Sequence, residues 1–546
     1  MATEAWVLNK YHILAASCKR MMKTPGEPLK KRSFGRGLLR AACFLLLAVL
    51  LLAGFARTFG FKYSDGVDSM RTFYRQAPGS VDVLFLGNSH VFEDVDTGAL
   101  YDTAGIAAYD LCAARQVPWS TYWYLKEALK TQRPKLIVMD CFGLTTESDY
   151  ASREDAVKSL AGLKLSLDKL AAIRECVPPE ERLRFLFGYP LYHGRYSDLG
   201  REDYLPQKGI ANRESWKGYI PNYLVDPQTR PDIAAMTGEK ALLPKAEDAF
   251  VRIMDLAGQA GIPLVLICSP FPLTYEHMQV FHTAERMAAE RGIPFWNFNE
   301  QYDEIGLDFE RDFADYSHLN HRGSRKFSEF LAKRLAGAYD LPDRRNDPAF
   351  SGYEVMAEDV RCRAMDEEIR STWDRGAFLG ALGSHPHLVV LPSCRGSYAA
   401  TEEGRRINAE TRRALGETGR LALGPETTVS VMAGAADEQA RSLERDPAGG
   451  AMPEALPEEN LVEDPAGNMA EDRVEDPAGP AGDLRLKLNL TEYYAVSDGI
   501  NYLIYDQFAD QVVDCAGFRF NGAALAEQKT AWDLDEDGEW EEREAP

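Results

Sequence analysis

A serine, a carboxylate and an imidazole are spaced along this chain so that one α/β sheet could bring them together. Ser89 follows the apolar run Val83-Leu84-Phe85-Leu86 and the turn residue Gly87. Such a run reads as a buried strand, and a residue just beyond it lies at the carboxyl end, where open α/β sheets bind their ligands. Far downstream, Asp315 precedes His318 by three positions in Asp315-Tyr316-Ser317-His318-Leu319-Asn320. On a helical turn or in a tight loop entering a helix, that spacing puts both side chains on one face. A hydroxyl nucleophile, an imidazole to take its proton and a carboxylate to orient the imidazole are what a serine acyl-transfer site needs. Asn88, His90, Gln116 and Asn320 are candidates to contact substrate, although on a strand or turn His90 would point away from Ser89. His193 and Arg195, in a Tyr-His-Gly-Arg-Tyr segment, are candidates to bind an anionic or polyol substrate. A structural histidine is the competing reading of His193.

The elements that must position these residues follow from hydrophobic pattern. Residues 82–86, 135–140, 264–268 and 294–298 read as short buried strands, and 118–130, 243–259, 277–291 and 323–336 carry helical spacing. Strands of this kind alternating with helices imply a mostly parallel sheet covered on both faces, within a domain spanning 61–342. The expected fold class is therefore α/β, a three-layer α/β/α sandwich. An insertion at about 145–240, helical in its first half and aromatic in its second, is expected to roof the site.

One apolar run breaks the pattern. Residues 41–56 carry no charge, and with their flanks the segment 38–60 is long enough to span a bilayer. The first 40 residues hold nine Lys or Arg against two Glu, which predicts a cytoplasmic tail at 1–37 and a single-pass, type II anchor with the remainder outside. A cleavable leader, with Gly54 and Ala56 at its −3 and −1 positions, is the alternative. The net charge of −22 sits in the part beyond the apolar run and makes nucleic acid an unsuitable partner. The cysteines show neither CxxC pairs nor metal-ligand spacing, and read as small buried hydrophobes.

With these residues in view, the chain resembles the SGNH (GDSL-like) hydrolase superfamily, and within it the membrane-anchored branch that acts on bacterial envelope polymers in alginate O-acetylation and teichoic acid D-alanylation. The likeness rests on residues 84–90 (LFLGNSH), 133–140 (RPKLIVMD), 192–199 (YHGRYSDL) and 315–335 (DYSHLNHRGSRKFSEFLAKRL), and covers about half of the chain. It implies an SGNH-type sandwich with Ser89 as nucleophile, His318 as general base and Asp315 as its orienting partner. It also implies an envelope polysaccharide or teichoic-like polymer as substrate, with no cofactor required. Two departures stand out. The family's glycine block falls at Cys112-Ala113-Ala114-Arg115-Gln116, which lacks glycine, and its Asn-Asp block has become Asp140-Cys141-Phe142-Gly143. The oxyanion donors left are the N–H of Ser89 and that of Ala114 or Arg115. The expected activity is that of an esterase or O-acyltransferase; the alternative is a catalytically impaired glycan-binding scaffold that partners a membrane-bound O-acyltransferase.

Beyond the α/β domain, 343–380 reads as a helical connector and 381–522 as a smaller α+β, β-rich domain. Within it, 387–393 is a predicted strand, 401–415 a helix, and 499–506 with 511–514 a hairpin. This part resembles the interleukin-like EMT-inducer (ILEI) domain, a lectin-like module. It is interrupted at 441–483 by a segment rich in Pro, Gly and acid that is expected to be disordered. The acidic tail 523–546 is expected to be solvated. It also matches a calcium-loop pattern, with Asp533, Asp535, Asp537, Glu541 and Glu544 as oxygen ligands around Gly538, but no helix-forming sequence follows.

Overall fold

A computed structural model of the chain describes residues 31–60, 64–187, 195–196, 199, 216–416, 420–422, 428–431, 486–488, 491–492, 498–507, 511–534 and 540–543. The segment 441–483 lies outside them. Helix α1 (Lys31–Phe59) contains the 22-residue stretch Leu38–Phe59, of mean hydropathy 2.5. Among the described residues it is the one helix long and apolar enough to cross a membrane. Its leucines are exposed, so none of the other described residues covers them.

Strands β1 (Val83–Leu86), β2 (Ala108–Asp110), β3 (Leu136–Asp140), β4 (Leu264–Cys268) and β5 (Phe295–Asn297) make a parallel sheet in the order β2-β1-β3-β4-β5. The helices around it are α2 (Ser89–Phe92), α3 (Thr97–Ala104), α4 (Pro118–Ala128), α5 (Arg153–Leu160), α6 (Leu167–Cys176), α7 (Arg182–Phe187), α8 (Pro244–Ala260), α9 (Tyr275–Ala289) and α10 (His321–Ala338). Alternate strand residues serve two cores. Leu84 and Leu86 of β1 with Ile137 and Met139 of β3 pack under α4, α8 and α9, whereas Val83, Phe85, Leu136 and Val138 pack under α10. A sheet buried on both faces in this way explains the continuous apolar strand sequences. The three-residue edge strand β2 was not expected; it is too short to show any period, and only its pairing with β1 reveals it.

In this strand order the connections leave β1 toward opposite sides, which opens a crevice between β1 and β3 at their carboxyl ends. Ser89 lies there. Gly87 makes the approach to it tight: a Cβ on Gly87 would stand 2.6 Å from Val91 Cγ2 and 3.1 Å from Asp140 Cβ.

The connector holds α11 (Ser351–Ser371) and α12 (Arg375–Ser384). Gly98 lets α11 press against α3, since a Cβ there would meet Met356 O and Val360 Cγ2 at 2.9 Å. The contact is locked by buried Arg363, which bridges Asp96 of the α3 cap and Asp359, each at 2.8 Å. Beyond it lie β6 (Leu388–Arg395), α13 (Glu402–Leu415), β7 (Arg420–Ala422), β8 (Thr428–Val431), β9 (Leu486–Leu488), β10 (Thr491–Glu492), β11 (Gly499–Asp506), β12 (Gln511–Arg519), β13 (Thr530–Leu534) and β14 (Trp540–Arg543). They form two antiparallel sheets, β14-β13-β12-β11-β6 and β10-β9-β8-β7. Part of the expected solvated tail is therefore sheet: β13 pairs with β12, and Ala531 is fully buried. The tail's acid content hid this, because a strand paired on its backbone needs few apolar residues.

Replacing Gly87 by alanine should cost about 1–3 kcal/mol in denaturant unfolding through overpacking. Gly258→Ala, in the open interior of α8 with nothing within 4 Å, should be neutral or stabilising in the same measurement.

Candidate active site

Strand β1 delivers Gly87, then Asn88 caps α2: its Oδ1 accepts the N–H of His90 at 3.2 Å. Ser89 is thus the first residue of a helical turn. The Asp315–His318 segment is a tight loop leading into α10. Asp315 Oδ1 accepts the N–H groups of Ser317 (2.7 Å) and His318 (2.9 Å), which curls the loop so that the imidazole folds back onto its own carboxylate. His318 Nδ1 lies 3.1 and 3.0 Å from the two Asp315 oxygens, and Nε2 lies 2.8 Å from Ser89 Oγ. The Ser89 hydroxyl, the His318 imidazole and the Asp315 carboxylate form one hydrogen-bonded chain, the geometry that the roles of nucleophile, base and orienting carboxylate require.

The electrostatics agree with these roles. Burial pulls the His318 pKa down, but the hydrogen bond it donates to Asp315 and the charges of Glu93 and Asp315 outweigh it, so the value lies above the usual 6.5. Burial raises Asp315, and its bonds to His318 more than reverse this, leaving it below the ordinary carboxylate value. Glu93 is held above its usual value, chiefly by burial.

A second set of contacts, not foreseen in the sequence, locks this geometry. His90 is fully buried beneath the site and shares a 3.0 Å hydrogen bond through Nε2 with Ser317 Oγ. Its Nδ1 is 3.3 Å from Asp94 Oδ2, and Asp94 Oδ1 accepts the N–H of Leu319 at 2.9 Å. Both neighbours of His318 are thereby tied to the turn that carries Ser89. Burial holds His90 well below and Asp94 well above their usual pKa values, which favours a neutral pair. The rings of Phe142 and Phe271 pack on His90, with centroids 3.9 and 4.7 Å away. The i to i+4 spacing of His90 and Asp94 was the available signal. It carries meaning only once 89–92 is known to be a helical turn that continues into a turn through Asp94.

The remaining candidates separate. Asn88 lies at the site. Ala114 N–H is bonded to Asp65 O at 2.9 Å, which removes it as an oxyanion donor. Arg115 stands in left-handed backbone (φ 49°), the conformation glycine favours, and its N–H is in no hydrogen bond among the described residues. Gln116 is buried, with Nε2 donating to Thr121 Oγ1. Asp140 ties the ends of β3 and β4 through the N–H groups of Phe142 and Ser269, and burial raises its pKa to about 6.

Asn320 is not a substrate contact. It is wholly buried, accepts the N–H groups of Arg322 and Gly323 as the α10 cap, and donates to Arg311 O. Arg195 lies elsewhere too, donating to Phe59 O and Gly60 O at the end of α1, where a guanidinium answers the free carbonyls of a helix terminus. His193 lies outside the described residues. The insertion returns through 216–228 as a strap: Ile220 N–H bonds Phe92 O, Asn222 Nδ2 bonds Glu93, and His321 N–H bonds Asn222 O.

For metals, Asp533 pairs with Glu541 across the β13–β14 hairpin, so both flanks of the calcium-loop match are strands rather than helices. Asp535, Asp537 and Glu544 lie outside the described residues. Cys362, His385 and Asp506 form a buried group of metal-ligand type. His385 Nδ1, however, accepts the N–H of His387, which leaves the ring proton on Nε2, facing Asp366 Oδ1 at 3.2 Å and Asp506 Oδ2 at 3.7 Å. That is the arrangement of a histidine paired with carboxylates, not of a lone pair offered to a metal.

No protein-family model matches the chain, and no curated protein matches it.

Because His318 acts as a base only when neutral, modification of Ser89 by a fluorophosphonate should accelerate with rising pH, with a midpoint above 6.5. In Asp315→Asn the midpoint should move down and the plateau rate fall by about 10⁴-fold. Ser317→Ala, which cuts the link to His90, should lower the plateau by about 10²-fold without moving the midpoint. An unchanged rate in that variant would show that the link does not set the distance from Ser89 to His318.

Proposed function

We propose that this protein is an SGNH-type serine esterase or O-acyltransferase, anchored by α1 as a single-pass type II membrane protein with its α/β domain outside the cell. The observation that carries this reading is the unbroken chain Ser89 Oγ, His318 Nε2, His318 Nδ1, Asp315 at the carboxyl end of β1. His318 takes the Ser89 proton as Oγ attacks an ester carbonyl, and the alcohol leaves with that proton. The acyl group is then held as an ester on Ser89. A second hydroxyl, of a sugar, an alditol or water, is deprotonated by His318 and attacks the acyl-enzyme, and Ser89 leaves with its proton restored. Asp315 holds the imidazole tautomer throughout.

The carbonyl oxygen must be met by donors as it becomes an oxyanion. The Ser89 N–H is in no backbone hydrogen bond and supplies one; Asn88 Nδ2, in no hydrogen bond with the described residues, and Arg115 N–H are the further candidates. The substrate class proposed, from the resemblance in sequence, is the O-acyl, chiefly O-acetyl, groups of cell-envelope polysaccharide or a teichoic-like polymer.

The engagement of Ala114 N–H by Asp65 O favours a second reading, a scaffold with an impaired oxyanion site that binds glycan and partners a membrane-bound O-acyltransferase. Losing one oxyanion donor costs about 10²- to 10³-fold in rate. Fluorophosphonate labelling of the full chain in detergent, with acetate release from an aryl acetate, separates the two. The enzyme reading expects labelling and release in the wild type and neither in Ser89→Ala or His318→Ala. A folded wild-type protein that takes no label would leave the scaffold.

A further inference from the structure

Behind the His318 loop, where the strap, the start of α10, the outer face of α11 and the edge of the carboxyl-terminal sheet meet, lies a cavity of about 500 Å³. Five arginines line it, Arg311, Arg322, Arg363, Arg370 and Arg543, against two acids, Asp366 and Glu367. In a chain whose net charge is −22, this concentration of guanidinium groups is a local exception.

Ion pairing accounts for part of it. Arg322 meets Glu367 at 2.6 Å, and Arg543 meets Asp514 at 2.8 Å, a carboxylate already shared with Lys529. Arg363 is held through Nε and Nη2 by Asp359 and Asp96. What remains is cationic. Arg363 is 3% exposed, yet its Nη1 has no hydrogen-bond partner. Arg311 makes no side-chain hydrogen bond or ion pair among the described residues. His321 Nδ1 is also buried without a partner. Burial, followed by the charges of Arg363, Arg322 and Arg325, pushes that imidazole's pKa down to about 3.

A buried N–H with no acceptor costs free energy that a bound acceptor recovers. Guanidinium forks match the paired oxygens of carboxylates and phosphates, and a cavity of this volume accepts a molecule of about one sugar unit. Apart from Ser371, its other lining is apolar or aromatic: Val225, Val512 and Val513, with Tyr223 against His321 and Trp373 beside Arg543. Such walls suit the carbon face of a ring.

We infer that this cavity is a binding site for a small organic oxyanion of about one sugar unit, a uronate carboxylate or a sugar or polyol phosphate, held by Arg311 and Arg363 and packed between Tyr223 and Trp373. The site is separate from Ser89 and stands whether or not Ser89 is a nucleophile. An acidic glycan seated here would be held beside the loop that carries His318.

Isothermal titration of the full-length Ser89→Ala protein in detergent tests this without turnover, with three probes: a trisaccharide of uronic acid, glycerol 3-phosphate, and neutral maltotriose. Saturable binding of an acidic probe is expected, weakened by salt, with none for maltotriose. Whichever acidic probe binds identifies the oxyanion. Arg311→Glu, at an exposed side chain that should not disturb folding, is expected to weaken binding at least tenfold, and Arg363→Gln likewise where it folds. The absence of saturable binding for both acidic probes, equal binding of maltotriose, or undiminished binding in Arg311→Glu would overturn the assignment. Fluorophosphonate labelling of Ser89 in the parent protein reports on the catalytic reading alone, so the two can fail separately.

Discussion

The structure of the site depends on how residues 88–94 are held against residues 315–319. Strand β1 and the cap by Asn88 place one segment, and the curl around Asp315 shapes the other. Neither places the two relative to each other. Three polar contacts do so: Ser89 to His318, His90 to Ser317, and Asp94 to the Leu319 N–H. Two of the three are fully buried, where a lost partner is costly and the geometry is correspondingly well defined. The exposed part of the site is therefore mounted on a buried polar frame, which Phe142 and Phe271 close from below.

The same economy of position appears at larger scale. Asp140 at the end of β3 gathers the N–H groups that begin the next two loops, and Gly87 leaves only enough room for β1 to pass beside it. Helix α11 joins the α/β domain to the carboxyl-terminal sheet through Arg363 on one side and, on the other, through Arg370, which donates to Val513 O, and Lys529, which donates to Ile369 O. The arginine-lined cavity lies in this seam. Arginines from the α/β domain, from α11 and from the carboxyl-terminal sheet all contribute to it.

Much of the architecture was legible in the sequence. Three of the five parallel strands, β1, β3 and β4, carry the continuous apolar runs of strands buried on both faces, the half-buried edge strand β5 is marked by its aromatic residues, and the helices between them carry their own period. Strands β2, β13 and β14 were not legible. The three-residue β2 is too short to show a period, and β13 and β14 lie in the acidic tail, so what defines them is pairing: β2 with β1, β13 with β12, and β14 with β13. Substrate roles assigned by proximity in sequence fared worse. Asn320, two residues past His318, caps a helix, because a polar side chain near a site in sequence is first claimed by the nearest unpaired backbone group; Arg195, assigned from its Tyr-His-Gly-Arg-Tyr segment, bonds the end of α1.

The sequence by itself determined the apolar amino-terminal helix, the parallel α/β pattern and the three residue types able to carry acyl transfer. It could not decide how two Ser-His dipeptides, Ser89-His90 and Ser317-His318, would pair. Adjacent side chains on a helical turn do not face each other, so His90 does not serve Ser89, and in its loop His318 is folded back onto Asp315 rather than onto Ser317. Each serine instead bonds the other segment's histidine, one pair with Asp315 at the surface and the other with Asp94 in the interior. Only the tertiary packing of the two segments decided which pair stays partly open to solvent and which is enclosed: Ser89 and His318 are half-buried, whereas His90 and Ser317 are buried.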